Sequence, residues 1–152
     1  MDFRRTRTLA AALLALTLAC TAHADDNVAN PQLMQAIERL GKEVTPDARR
    51  ALFHELNRAT YLVPLMRNPN GKHPEYVNYL VAHQGRPSMI AIFADRNQMA
   101  RSDIAPDKVV AMNAAEVWKL VDEQPRLDGV ALNPGHNALP LNRKRIAQIR
   151  EH

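Results

Sequence analysis

Histidines, serines and paired carboxylates are the side chains through which this 152-residue chain could catalyse a reaction or hold a metal. None of the six histidines belongs to a HExxH zinc pair, and neither Ser88 nor Ser102 lies in the GxSxG turn of a serine hydrolase. Asp122 and Glu123 are adjacent on a predicted helix and therefore point apart. The five glycines form no phosphate-binding loop. The sequence thus predicts no catalytic residues, no metal ligands and no cofactor.

The basic stretch Arg143-Lys144-Arg145 is the feature that most resembles a nucleic-acid contact. We predict a solvated helix face instead, because this predicted helix has no aromatic residue to stack on bases. The formal charge of the whole chain is +4, and it falls to +2 without the three arginines and one aspartate of residues 1–24. A charge this small does not favour nucleic acid as a partner.

The first 24 residues have the three-part layout of a cleavable secretory signal. A positive segment contains Arg4, Arg5 and Arg7, an uncharged apolar run spans residues 9–19, and small residues precede the expected cleavage site after Ala24. The apolar run is too short for a permanent membrane span, which takes about 20 residues. We therefore expect export to the periplasm by the general secretory route, and no membrane span.

Cleavage after Ala24 would remove Cys20, the only cysteine, and leave a mature chain without thiols or disulfides. Lipid attachment to Cys20 is the alternative. Thr17 argues against it, because lipoprotein signals usually carry Leu or Val at that position. Residues 25–29 read as a flexible lead and residues 30–152 as one domain, a length that suits a single core.

The elements that must position any site begin with two amphipathic helices. Asn30-Pro31 predicts an N-cap followed by a proline at the first helical position, and Gly41 predicts the end of that helix. Thr45-Pro46 repeats the same start for a second helix. Apolar residues recur at helical spacing behind each start and predict buried stripes, which contain Leu33, Ile37 and Leu40 in the first helix and Ala48, Leu52, Leu56 and Ala59 in the second.

The middle and last thirds of the chain contain runs that favour strands. Short loops between the first three runs predict an antiparallel meander. The third run is apolar on both faces, which predicts a central strand. The predicted strands span residues 60–66, 76–83, 88–94, 109–112, 130–132 and 139–141.

Two further helices complete the predicted fold. Asn113 and Glu116 resemble a capping box, and Asn142 can cap a last helix. The fold class is therefore α+β, a single domain with a mixed or antiparallel sheet, a β-meander and about four helices packed on it. We expect a common core that contains Leu33, Ile37, Leu52, Leu56, Ile92, Phe93, Val130 and Leu132.

Two positions in these elements could present side chains to a partner. Asn133-Pro134-Gly135 predicts a β-turn, since Pro134 suits its second position and Gly135 can take the positive φ of a type II turn. Such a turn would display Asn133 and His136 at the end of the sheet. Trp118 falls beside the inward residues of its helix, so we expect it half-buried at the edge, where interface anchors also lie.

Four segments together resemble the N-terminal domain of the SseB family, named for enhanced serine sensitivity. The resemblance implies an α+β domain, and it implies no enzyme activity because the biochemical role of the family is itself poorly defined. Order and spacing match over nearly the whole mature chain. The segments are the helix Asn30-Pro31-Gln32-Leu33 through Ala36 and Leu40, the strand Tyr61-Leu62-Val63-Pro64, the strand end Ile92-Phe93-Ala94-Asp95, and Asp128-Gly129-Val130-Ala131-Leu132-Asn133-Pro134-Gly135.

The chain departs from the family pattern in three respects. Ala94-Asp95 stands where the family tends to end its strand in Thr-Ser, so any role of those hydroxyls is lost. Named members carry a second, C-terminal domain, whereas this sequence predicts one. The predicted signal peptide also separates it from the cytoplasmic members.

These observations favour a non-catalytic periplasmic binding module whose partner is a protein. One specific version is an inhibitor or immunity protein for a secreted toxin, by analogy with other small exported domains. The alternatives are a small periplasmic enzyme that uses Asp95, Arg96 and His136, and metal binding by histidines that meet in space. The expected interaction residues are Asp95, Arg96, Trp118, Asn133, Gly135 and His136.

Overall fold

A computed structural model describes the chain at residues 27–67, 75–76, 78–80, 88–135 and 138–152. The predicted signal, Cys20 included, and His136 lie outside these residues. The helices are α1 (Pro31–Lys42), α2 (Pro46–Arg58), α3 (Arg96–Ala100), α4 (Ala114–Glu123) and α5 (Arg143–Arg150). The strands are β1 (Thr60–Met66), β2 (Glu75–Tyr76), β3 (Asn78–Leu80), β4 (Met89–Ile92), β5 (Lys108–Asn113), β6 (Gly129–Leu132) and β7 (Leu139–Asn142).

The described part of the chain has five helices, one more than the approximate number predicted. The additional helix is α3, which has only five residues. The longest of the described helices, α2, has 13 residues. Within the described ranges no helix combines the length and the apolar character that crossing a membrane takes.

Polar caps start three helices where the sequence predicts them. Thr45 Oγ1 accepts a hydrogen bond from Ala48 N at 3.2 Å at the start of α2. Asn113 and Glu116 form the capping box of α4, and Asn142 caps α5. These caps involve residues three positions apart, and for that reason they are readable from sequence.

Helix α1 differs from its prediction at both ends. Asn30 precedes the helix, but its side chain accepts no capping hydrogen bond. Its amide Nδ2 donates instead to the carbonyls of Thr60 and Ala94, far along the chain. Gly41 does not end the helix, which continues to Lys42.

Two small sheets form the β layer of the described chain. The first has the order β2-β1-β5 and is antiparallel, and the second has the order β3-β4-β6-β7. Leu62 and Phe93 join them by exchanging two backbone hydrogen bonds of 2.9 Å. β4 and β6 run parallel, so the fold is α+β with a mixed sheet. The predicted central strand is confirmed, because β4 lies between β3 and β6 with all four residues buried.

The main core lies between the helices and one face of the sheets. It contains six of the eight residues predicted to share a core, namely Leu33, Leu52, Leu56, Ile92, Val130 and Leu132. Ile37 is only partly buried against it. Phe93 is fully buried but belongs to a second cluster with Leu62 and Met99. The reason is strand geometry, since neighbouring residues of a strand point to opposite faces.

Arg143 corrects the prediction of a solvated basic face at the start of α5. Its guanidinium donates to the carbonyls of Val121, Gln124 and Leu127 at distances of 2.6, 2.8 and 2.7 Å. The last carbonyls of a helix have no partner within the helix. This half-buried cation therefore closes the end of α4 and fixes α5 against it.

Candidate functional site

Asp95 and Arg96, two of the predicted interaction residues, lie where β4 leads into α3. Asp95 Oδ1 accepts a hydrogen bond from Gln98 N at 2.8 Å and caps α3. Both side chains are half-buried. The carboxylate that the enzyme alternative would use for proton transfer therefore also starts a helix.

Asn133 corrects the expectation that the Asn-Pro-Gly turn displays this side chain. It is buried, and its backbone has the left-handed φ of 51°. Its side-chain Oδ1 accepts a hydrogen bond from Ala94 N at 2.9 Å, and Nδ2 lies 3.6 Å from Met34 Sδ. Its own backbone N donates to Ile92 O at 2.8 Å. Asn133 therefore ties the ends of β4 and β6 to α1.

Asn30 is a second polar residue at these strand ends, although its position before Pro31 predicts a helix cap. Nδ2 donates to Thr60 O at 2.7 Å and to Ala94 O at 2.6 Å. Both backbone groups of Ala94 are thus bound by asparagine side chains, its N–H by Asn133 and its carbonyl by Asn30. We call Asn30, Ala94 and Asn133 the strand-end node. Its hydrogen bonds are internal, and they hold the strands rather than present groups to a substrate.

The turn after Asn133 has the glycine geometry that the sequence predicts. Gly135 is exposed and has a φ of +129°. Residues other than glycine rarely adopt this backbone conformation. Pro134 before it is buried. His136, the residue that the turn was expected to display, lies outside the described residues.

Trp118 lies deeper than the half-buried edge position expected from its helix. It is 2% exposed, and its ring packs against that of Tyr61 at a centroid distance of 6.0 Å. The indole Nε1 donates to Asn57 Oδ1 at 3.2 Å, and Asn57 Nδ2 donates to Ile149 O at 2.6 Å. Trp118 therefore joins α4 to α2 and, through Asn57, to α5.

Titratable groups in the described ranges offer little for acid–base or metal chemistry. These ranges contain no group of three or more His, Cys, Asp or Glu side chains placed to hold a metal. Burial raises the pKa of Tyr61 far above its ordinary value, and its hydroxyl donates to Leu56 O at 2.7 Å. Tyr61 therefore stays neutral at physiological pH and acts as a hydrogen-bond donor in the core.

A different feature, an apolar groove, opens between the α1–α2 connection, α2, β7 and α5. Its volume is about 310 Å³, at the small end of the range for ligand pockets. Leu52, Leu56 and Leu141 form a buried floor. At the rim, Leu139 is half-buried and Val44 is 77% exposed. We call this feature the α2–α5 groove.

Two arginines also line the α2–α5 groove, Arg49 from α2 and Arg145 from α5. Neither side chain forms an ion pair or a hydrogen bond within the part of the chain that the structure describes. No carboxylate is among the described residues that line the groove. Nearby acidic residues are engaged elsewhere, since Glu38 pairs with Lys42 and Asp47 with Arg50.

Local patterns do not reveal this groove, because Arg145 falls in the basic stretch expected to be solvated and Arg49 lies outside the buried stripe of the second helix. Both side chains are exposed, as these patterns predict. Val44 was the one signal in the sequence, because it is an apolar residue that lies between two predicted helices and belongs to neither buried stripe. The groove itself depends on α5 packing against α2, which joins residues about ninety positions apart, as Asn57 and Ile149 do.

The family model of the SseB protein N-terminal domain matches residues 33–148. This match covers most of the chain and includes every described helix and strand at least in part. The chain therefore belongs to the SseB family. No curated protein and no solved structure matches it.

Proposed function

We propose that this member of the SseB family is a non-catalytic, exported protein-binding module and that the α2–α5 groove is its binding surface. The observation that carries the proposal is Val44, an apolar side chain 77% exposed at the rim of an apolar groove. Exposed apolar surface next to a concave floor is typical of sites that bind other proteins. Leu40 and Leu139, both half-buried, extend this surface on two sides.

The polar residues at the strand ends support the non-catalytic part of the proposal. An acid–base site needs groups that can reach a substrate proton. Asp95 accepts a backbone N–H, and the side chain of Asn133 is buried between β4 and α1. These hydrogen bonds explain Asp95 and Asn133 as supports of the fold, and the explanation needs no substrate.

Export is a separate part of the proposal, and it rests on the signal layout of residues 1–24. We expect the mature chain to begin at Asp25 in the soluble periplasmic fraction. Cell fractionation followed by intact-mass measurement tests this expectation. Acylated Cys20 in the membrane fraction, or an uncleaved chain in the cytoplasm, would refute it.

The specific version of the proposal is an inhibitor or immunity protein for a secreted toxin. It rests on analogy with small exported domains that block one partner through one surface. A groove with a buried floor and an exposed apolar rim suits such a partner, because a few residues that fill well-packed pockets supply most of the binding energy in protein interfaces.

Site-specific photo-crosslinking in the periplasm tests the binding surface. A photoreactive amino acid replaces Val44 in one variant and Met66 in the control. Met66 is the other exposed large apolar residue of the described chain, is 43% exposed, and does not line the groove. We expect a discrete protein adduct from position 44 and none from position 66. No adduct at position 44, or the same adduct from both positions, would refute the assignment of the groove.

A further inference from the structure

The α2–α5 groove has an unbalanced charge, which points to the chemistry of its partner. Arg49 and Arg145 are the charged residues among its described lining, and both are positive. We propose that the groove binds an acidic amphipathic helix of a partner protein, whose apolar side chains enter the groove and whose carboxylates pair with Arg49 and Arg145. The inference rests on the proposed function, because it names the partner of the same surface.

The two arginines lie on different walls, one on α2 and the other on α5. Guanidinium groups bind carboxylates through two parallel hydrogen bonds, which sets orientation as well as attraction. Among the described residues neither group has a partner to give up, so pairing with the ligand breaks no ion pair there. Complementary charge at the rim of an apolar groove mainly adds specificity and speeds association.

A helix fits this groove better than an added strand. β7 borders the groove, and in the described chain it pairs with β6 alone. Pro140 lies within β7 and has no N–H to donate. Proline is tolerated in an edge strand where its nitrogen faces the open side, so an added strand would lack a hydrogen bond there. A helix uses no backbone groups of the groove and places apolar anchors at i, i+3, i+4 and i+7.

A polypeptide suits the groove better than a free carboxylate, because the apolar lining extends from a buried floor to an exposed side chain. The cavity of about 310 Å³ is lined both by the floor residues and by Val44 at the rim. Val44 is 77% exposed, so a small amphiphile held on the floor would leave part of that side chain in contact with water. A helix covers the floor and the rim at once.

Synthetic helices of about 15 residues, long enough to be partly helical in water, serve as probes. All carry the same Leu stripe, and the residues beside it are Glu in one peptide, Gln in the second and Lys in the third. Binding to the ¹⁵N-labelled protein is followed by NMR. We expect the Glu peptide to bind at least tenfold more tightly than the Lys peptide in about 50 mM salt, with a smaller ratio in about 500 mM salt. The largest shift changes should fall at Leu40, Val44 and Leu139.

Charge-removing variants test the two arginines directly. Arg49→Gln and Arg145→Gln should each weaken binding of the Glu peptide by roughly 1.4- to fivefold, the range of one exposed ion pair. The Gln peptide should bind these variants as it binds the unchanged protein. Arg126→Gln is the matched control, because Arg126 is exposed and does not line the groove.

The outcomes separate this inference from the proposed function. If position 44 crosslinks a protein but the three peptides bind equally, the acidic-partner inference fails and the proposed function stands. If position 44 crosslinks nothing, the proposed function fails whatever the peptides do. Decanoate that shifts the groove resonances when the Glu peptide does not would overturn the inference in favour of a small-molecule site. A concentration-dependent dimer that buries Val44 would overturn it in favour of a second copy.

Discussion

Gly129 is the position where a single methyl group should disturb this fold most directly. It is the first residue of β6, pairs with Asn142 of β7, and has a φ of +156°. A Cβ atom built there would lie 2.0 Å from Leu141 O, 2.8 Å from Asn142 Cα and 2.9 Å from the Leu141 carbonyl carbon. All three atoms belong to the backbone of β7, so no side-chain rotation can relieve the contact.

Two costs add in Gly129→Ala. A non-glycine residue in a sparsely populated backbone region costs about 1–3 kcal/mol. Forcing an extra carbon into a packed site costs typically about 1–3 kcal/mol more. We therefore expect the free energy of unfolding to fall by about 2–6 kcal/mol, a large part of the roughly 5–15 kcal/mol typical of a domain. β7 would have to shift, and it leads directly into α5.

The other described glycines provide matched controls for the two costs. Gly135 has a φ of +129°, but its Cβ would come no closer than 3.9 Å to Arg101 O, so Gly135→Ala should show the backbone cost alone, about 1–3 kcal/mol. Gly41 lies inside α1 with no atom within 4 Å of its Cβ position. Gly41→Ala should therefore stabilise the protein by about 0.5–1 kcal/mol, the helix preference of alanine over glycine.

Urea unfolding followed by circular dichroism measures all three variants. The expected order of stability is Gly41→Ala, then the unchanged protein, then Gly135→Ala and last Gly129→Ala, with similar m-values. If Gly129→Ala is as stable as Gly135→Ala, then β6 and β7 do not approach as closely as the structure has them.

Three further predictions concern buried groups. Leu56→Ala should destabilise the protein by about 2–5 kcal/mol, because Leu56 is fully buried in the main core; a loss under about 0.5 kcal/mol in the same urea assay would mean that α2 does not pack as described. Asn133→Ala should cost about 1–3 kcal/mol, since it leaves the buried Ala94 N–H without its acceptor and forces alanine to a φ of 51°, and an unchanged unfolding midpoint would refute the strand-end node. Burial raises the pKa of Tyr61 above its ordinary value of 10.0, so its contribution to stability is fully present below pH 10 and is lost as the pH rises above it. Unfolding midpoints at about pH 9 and about pH 11 should therefore differ more in the unchanged protein than in Tyr61→Phe, and an equal difference in both would contradict the burial of this phenol.

Local sequence signals determined the elements of this protein. The caps at Thr45, Asn113 and Asn142 lie where the sequence predicts them, because a cap and its N–H donor are three residues apart. β1 has the predicted bounds of residues 60–66, since its β-rich run begins directly after a helix end. The positive φ of Gly135 also follows from its immediate neighbours.

Local signals were insufficient where a residue has two possible partners. Asn30 has the residue type and position of an N-cap, but two distant carbonyls bind its side chain instead. Arg143 belongs to a run of basic residues that reads as solvated, and it reaches the carbonyls at the end of α4. In both cases a contact made only after folding outcompetes the local alternative.

The tertiary structure alone decided which surfaces are open. The parallel pairing of β4 and β6 is set by the path of about forty intervening residues, which periodicity does not report. That pairing brings Asn133 against Ala94 and buries a side chain that its turn was expected to display. The α2–α5 groove arises in the same way, because it exists only where α5 returns to pack against α2. Hydrophobic spacing predicts that a face is buried, whereas only the assembled fold decides which face covers it and which gap is left.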